Sequence, residues 1–76
     1  MDNILLRVIN TVLENRSKST ISELKDTYNF RNDLDFDSLD LAELTVRLEV
    51  EFDVDVFENG LVNTVEEIKE RLMQKA

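Results

Sequence analysis

Three segments of the chain carry apolar residues at helical spacing, and almost nothing inside them can break a helix. Ile4, Leu5, Val8, Ile9, Val12 and Leu13 make the first; Leu41, Leu44, Leu48 and Phe52 the second; Val65, Ile68 and Leu72 the third. Apolar residues that recur every three to four positions share one helix face, and that face must be buried. The 76 residues include one glycine, Gly60, and no proline, too few turn formers for a sheet-rich fold. With no cysteine and no histidine, neither disulfides nor a zinc cluster is available as a staple, and packing must hold the chain together. The pattern predicts an all-α fold: a small antiparallel bundle of three main helices plus a short extra helix, as a single domain over residues 1–76.

The first helix is expected over about Ile4 to Glu14, with Asp2 or Asn3 as its cap. The second is expected from about Ser38 to Phe52. The last begins after Thr64, which forms a capping box with Glu67, and frays beyond Met73. The long first connection holds Ile21, Leu24, Tyr28, Phe30 and Leu34, too many apolar residues for a free loop. Ile21, Phe30 and Leu34 are expected to pin it across the bundle. A short helical turn suits Ser22 to Lys25, and another short turn is expected near Phe57 to Leu61, within an otherwise irregular stretch from Asp53 to Asn63.

The net charge of −8 is unevenly spread. Residues 1–32 hold four acids and five bases, residues 33–58 ten acids and one base, Arg47, and residues 59–76 three of each. So acidic a centre argues against nucleic acid or an anionic membrane as partner, because both require a basic surface. It suits proteins with basic patches, which such a face attracts over distance. No apolar run is long enough to span a bilayer and the start lacks a signal pattern; with the absence of cysteine, this gives the expectation of a cytoplasmic protein, acting as a monomer.

Within the acidic centre, Asp33 to Leu44 reads DLDFDSLDLAEL. Ser38 is a hydroxyl between carboxylates where a loop becomes a helix. Two assignments compete. In the first, Ser38 is the N-cap and its hydroxyl accepts from a free backbone N–H, the usual role of a serine at a helix start. In the second, Asp37 is the cap with Asp40 as a box-like partner, and Ser38 occupies the first helical position with its hydroxyl turned outward beside the positive end of the helix dipole.

The second helix also carries an apolar strip opposite its core stripe. At about 100° per residue, Leu39, Val46 and Val50 fall there with Glu43 among them, bordered by Asp40 and Arg47 on one side and Glu49 on the other. An apolar strip rimmed by charge is the pattern of a docking surface; a helix buried on both faces is the competing explanation, which Glu43 disfavours.

Asp37-Ser38-Leu39-Asp40-Leu41-Ala42-Glu43-Leu44 resembles the signature of the acyl carrier protein family. Leu48-Glu49, Glu51-Phe52-Asp53, the segment Phe30, Asp33 and Leu34, and Thr64-Val65 with Ile68 extend the likeness over nearly the whole chain. The resemblance implies a carrier, not an enzyme. In it, 4′-phosphopantetheine, transferred from coenzyme A by a phosphopantetheinyl transferase, is joined to Ser38 through a phosphodiester, and the arm's thiol holds an acyl group as a thioester. It implies that Asp37, Leu39, Asp40, Glu43, Val46, Arg47, Glu49 and Val50 face acyl-loading and acyl-processing enzymes with basic docking patches. It further implies that Phe30, Leu44, Leu48, Val56 and Ile68 line an interior that shelters the acyl chain. The chain departs from the family at Asp35, where glycine is usual, at Phe36, where a smaller residue is usual, and at Arg47 and Val50 within the acidic face. The stretch between Phe52 and Val65 is about two residues short, with Phe57 where proline is common. The resemblance implies fatty-acid or related biosynthesis; these departures count against the usual fatty-acid partners and point to a specialised carrier, a second carrier paralog or one serving polyketide, nonribosomal-peptide or cell-envelope chemistry.

Two rival readings remain open from the residues. Asp33, Asp35 and Asp37 fit the first three ligands of a helix-loop-helix calcium site, but Ser38 stands where its glycine belongs and Leu44 where its glutamate belongs. The other rival is an acidic helical interaction module with no prosthetic group and Ser38 as a plain cap. Catalysis of its own is disfavoured by the absence of histidine, cysteine and a glycine-rich phosphate loop.

Overall fold

The computed structural model describes residues 2–57, 60 and 62–75. Its elements are α1, Asp2–Asn15, α2, Ser38–Phe52, and α3, Val65–Lys75. Among the described residues there is no strand; one isolated antiparallel bridge pairs Asn29 with Thr64. None of these helices is long and apolar enough to cross a membrane.

α1 begins two residues earlier than the periodicity indicates, so Asp2 and Asn3 lie within it and neither caps it. Leu5, Val8, Ile9, Val12 and Leu13 form its buried face. It ends in a Schellman turn: Ser17 takes a left-handed conformation, its N–H donates to the Glu14 carbonyl, and the Lys18 N–H donates to the Leu13 carbonyl. These bonds satisfy carbonyls that the helix end would otherwise leave bare. α2 runs antiparallel to α1, because Arg7 pairs with Glu51 near one end and Asn15 with Glu43 near the other. α2 ends at Asp53, also left-handed, whose N–H donates to the Glu49 carbonyl. At the start of α3, Thr64 and Glu67 form the expected box: the Glu67 N–H donates to Thr64 Oγ1 at 3.3 Å and the Thr64 N–H to Glu67 Oε1 at 3.1 Å. α3 continues to Lys75 rather than fraying at Met73.

The long first connection is fastened at both ends. Asn10 on α1 holds Ile21 by two bonds, its amide donating to the Ile21 carbonyl and its own carbonyl accepting from the Ile21 N–H. Further on, the Phe30 N–H donates to the Asn63 carbonyl and the Val65 N–H to the Tyr28 carbonyl. Phe30 and Leu34 are buried as expected, whereas Ile21 is half-buried. The chain bends at Ser22 and Glu23, and Ser22 to Lys25 makes no helical turn; the backbone turns instead at Lys25–Tyr28, closed by the Tyr28 N–H on the Lys25 carbonyl. Of the short element expected near Phe57 to Leu61, the described part is a turn in which the Gly60 N–H donates to the Phe57 carbonyl; residues 58, 59 and 61 lie outside the described residues.

All three helices and both connections contribute to one buried cluster. Phe36, Val54 and Val62 belong to it although no periodicity marks them. The Phe36 ring lies 5.3 Å from that of Phe30, tilted by 47°, a favourable aromatic arrangement. The packing thus anchors residues 30–36 against the core and fixes the backbone that leads into α2.

Candidate functional site

The backbone at the start of α2 decides between the two roles of Ser38. Asp37 is extended (φ −102°, ψ −172°) and is the N-cap. Its Oδ1 accepts from the Asp40 N–H at 3.0 Å, and Asp40 Oδ2 accepts from the Asp37 N–H at 2.9 Å. Two of the helix's orphan donors are thus satisfied without Ser38. Ser38 is the first helical residue, exposed, and among the described residues its hydroxyl makes no hydrogen bond. The reading of Ser38 as the cap is therefore overturned.

Asp40 is also placed differently from the expectation. It is completely buried rather than on the rim of a docking face. Lys18 Nζ lies 2.6 Å from its Oδ2. Arg16 Nε lies 3.0 Å from its Oδ1 but is not aligned to donate, so this oxygen is buried without a hydrogen bond. Arg16 also reaches Asp37 Oδ2 at 3.2 Å, and Lys18 donates to the Asp35 carbonyl. The Schellman turn at Ser17 aims both cations here. They neutralise the carboxylates that would otherwise oppose an anion on Ser38. The Asp40 N–H bond, the main cause, holds the Asp37 carboxyl below its usual range against some desolvation, with help from Arg16 and Lys18. The hydrogen bond to Asp40 pushes Lys18 up.

Asp35, at the position where the family favours glycine, has φ 57°. That left-handed backbone explains the preference for glycine; aspartate is among the side chains that tolerate it best. Asp33 serves the turn itself, its Oδ2 accepting from the Asn29 N–H at 2.7 Å. Among the described residues no group of three or more acidic side chains is arranged to hold a metal ion, so the calcium-loop reading has no structural support.

Of the remaining predicted face, Leu39, Val46 and Val50 are 65%, 61% and 80% exposed, so α2 is not buried on both sides. Glu49 is exposed and Glu43 and Arg47 are half-buried. Glu43 Oε2 accepts from Asn15 at 3.0 Å and from Arg47 Nε at 2.9 Å; these bonds, that from Asn15 first, lower its pKa despite partial desolvation. Val46, Arg47 and Val50 border a groove of about 340 Å³ between α1 and α2. The predicted interior residues Phe30, Leu44, Leu48, Val56 and Ile68 are all buried, within the one core cluster.

A second groove, about 300 Å³, opens beside Ser38, lined by Arg31, Leu41, Ala42 and Phe57. An exposed hydroxyl relieved of capping, beside a mostly apolar channel with a cation at its edge, fits a phosphodiester-linked arm. Arg16, Lys18 and Arg31 were not singled out by sequence. The excess of bases in residues 1–32 was the available signal, but nothing in it indicated which carboxylates they meet.

Residues 3–72 match the family described as the phosphopantetheine attachment site. A curated relative, "Acyl carrier protein" of Prochlorococcus marinus (strain MIT 9515), is 42% identical over 55 residues, 72% of this chain and 68% of the relative. Another, "Acyl carrier protein 3, mitochondrial" of Arabidopsis thaliana, is 40% identical over 55 residues, 72% of this chain but 41% of the relative. No solved structure matches this chain. The chain belongs to the acyl carrier protein family, whose members are carriers rather than enzymes and bear a phosphopantetheine group.

Proposed function

We propose that the 76 residues form a single carrier domain that bears 4′-phosphopantetheine on Ser38 and presents acyl groups to partner enzymes in fatty-acid or related biosynthesis. The observation that carries this reading is the transfer of the capping role to Asp37, which leaves the Ser38 hydroxyl exposed at the first position of α2. When bound, the arm supplies a thiol that holds the acyl group as a thioester. The chain's own residues do the rest. Asp37 and Asp40 fix the start of α2, and Lys18 and Arg16 hold that start to the end of α1.

Partner recognition is assigned to Leu39, Glu43, Val46, Arg47, Glu49 and Val50, with Asp37 at the edge. Exposed apolar area rimmed by charge supports this. Asp40 is left out because it is buried. The interior of Phe30, Leu44, Leu48, Val56 and Ile68 is assigned to sheltering the acyl chain, an assignment supported by their shared burial. A cysteine-free chain suits the cytoplasm; fractionation of cells expressing a tagged copy tests that location. Gel filtration tests the monomeric state.

The deciding experiment incubates the apo protein with coenzyme A and a broad-specificity phosphopantetheinyl transferase and takes an intact mass. One phosphopantetheine adduct, lost in Ser38→Ala, is expected. No adduct on the wild type sinks the reading and favours a plain acidic interaction module.

A further inference from the structure

The cations near Ser38 are not equivalent. Arg16 and Lys18 are engaged by Asp37 and Asp40 on the side of α1. Arg31 lies elsewhere, on the wall of the 300 Å³ groove that includes Ser38 itself. Among the described residues it makes no ion pair. Its backbone is nonetheless well fixed. The Asn29 carboxamide oxygen accepts from the Arg31 and Asn32 N–H groups, both at 3.0 Å. The preceding residue, Phe30, is 1% exposed and locked in the core. Arg31 is thus an exposed residue on a rigid root, lining the same groove as Ser38. The other lining residues, Leu41, Ala42 and Phe57, offer an apolar floor.

We propose that Arg31 is the anchor of the prosthetic arm: its guanidinium pairs with the phosphodiester on Ser38 and lays the first part of the arm along the groove over Leu41, Ala42 and Phe57. The proposal rests on the Ser38 attachment reading. The occupant follows from chemistry already in the groove. A phosphodiester carries one negative charge, and a guanidinium meets two of its oxygens with parallel N–H donors. The pantetheine chain beyond the phosphate has methyl and methylene groups that suit an apolar floor. Because Arg31 is exposed, the pairing is weak enough to release the arm when a partner's own cations take the phosphate. Arg31 is accordingly a positioning residue.

The test compares apo and holo forms of the wild type, Arg31→Gln and Arg31→Lys. Intact mass first establishes the adduct in each. In the wild type, conversion to holo is expected to shift the Arg31 Nε–Hε resonance and to slow its hydrogen exchange by about threefold, the size an exposed ion pair supports. Salt at about 1 M, where the screening length is near 3 Å, should reverse most of that change. Holo Arg31→Gln is expected to show a narrower phosphorus resonance as the phosphate gains freedom, with Arg31→Lys in between. Substitution at this exposed position leaves the fold intact, which circular dichroism of the apo variants checks. A single adduct with Arg31 Nε–Hε unchanged, or with equal phosphorus linewidths in wild type and Arg31→Gln, overturns the anchor alone. A wild type that takes no adduct overturns the Ser38 reading and the anchor with it.

Discussion

Asp37 and Asp40 hold each other's backbone, each carboxylate accepting from the other's N–H at 3.0 and 2.9 Å. The pair straddles Ser38 and Leu39, so the hydroxyl is presented by a reciprocal clasp in which it takes no part. Removing one side of that clasp should be felt in the helix. Asp37→Ala is expected to lower the melting temperature by about 5 °C, the scale of a lost cap in a domain of this size, while Asp37→Ser, another good cap, stays within about 2 °C of the wild type. Equal losses in the two variants would mean that Asp37 acts through its charge and not its cap.

Asp40, itself fully buried, joins a cap partner and two cations. Asp40→Ala strips both and should cost about 3 kcal/mol. Lys18 and Arg16 retain 22% and 35% exposure and so can rehydrate, which keeps the loss at the lower end. Asp40→Asn keeps an acceptor for the Asp37 N–H and should cost about half as much. Urea unfolding of the three proteins measures this; an exposed, dispensable Asp40 would show no loss in either variant.

The pH dependence has a definite sign. Asp37 and Glu43 titrate below their ordinary values of 3.8 and 4.5 in the folded chain. Their contribution is therefore complete above those values and is lost as pH falls through the lower folded ones. Lys18 and Lys69 are raised above 10.5, Lys69 chiefly by its bond to Asp26, so their contribution is complete below that value and is lost as pH rises through the folded ones. Stability should be flat near neutrality and fall at both ends. Asp37→Asn should be less stable than the wild type at pH 7, by a margin that narrows as pH falls below 3.8, by thermal melts in matched salt.

The two faces of α2 should separate in mutagenesis. Leu48, fully buried, should cost about 3 kcal/mol as Leu48→Ala. Val50, 80% exposed, should change stability by less than about 0.5 kcal/mol as Val50→Ser. Glu43→Lys should slow phosphopantetheinyl transfer while circular dichroism stays helical. An unfolded Glu43→Lys would place that residue among the structural contacts, since Asn15 and Arg47 both bond to it.

The span of helix α2 was legible, because its core stripe and the acidic start bound it on both sides, but not which residue opens it. The outward strip of Leu39, Val46 and Val50 was legible too, since helical angle alone separates it from Leu41, Leu44 and Leu48. The role of Ser38 was not, because the choice between Asp37 and Ser38 as cap turns on one backbone dihedral. Asp40 was misplaced for a different reason. Its helical angle puts it at a rim, and the cations that meet it there, Arg16 and Lys18, come from the turn after α1. Phe36, Val54 and Val62 were missed because irregular segments carry no period to mark their buried members.

Lys18 stands 22 residues before the carboxylate it meets. The acidic octet around the serine is therefore complete as text in a short excised peptide but incomplete as an object. In such a peptide the acids would repel one another, the helix would not nucleate, and the hydroxyl would compete for the vacant capping role. On the proposed attachment to Ser38, the modifying enzyme is expected to read the folded domain, and a chain that has lost its first loop is expected to take no adduct even with every letter of the octet intact.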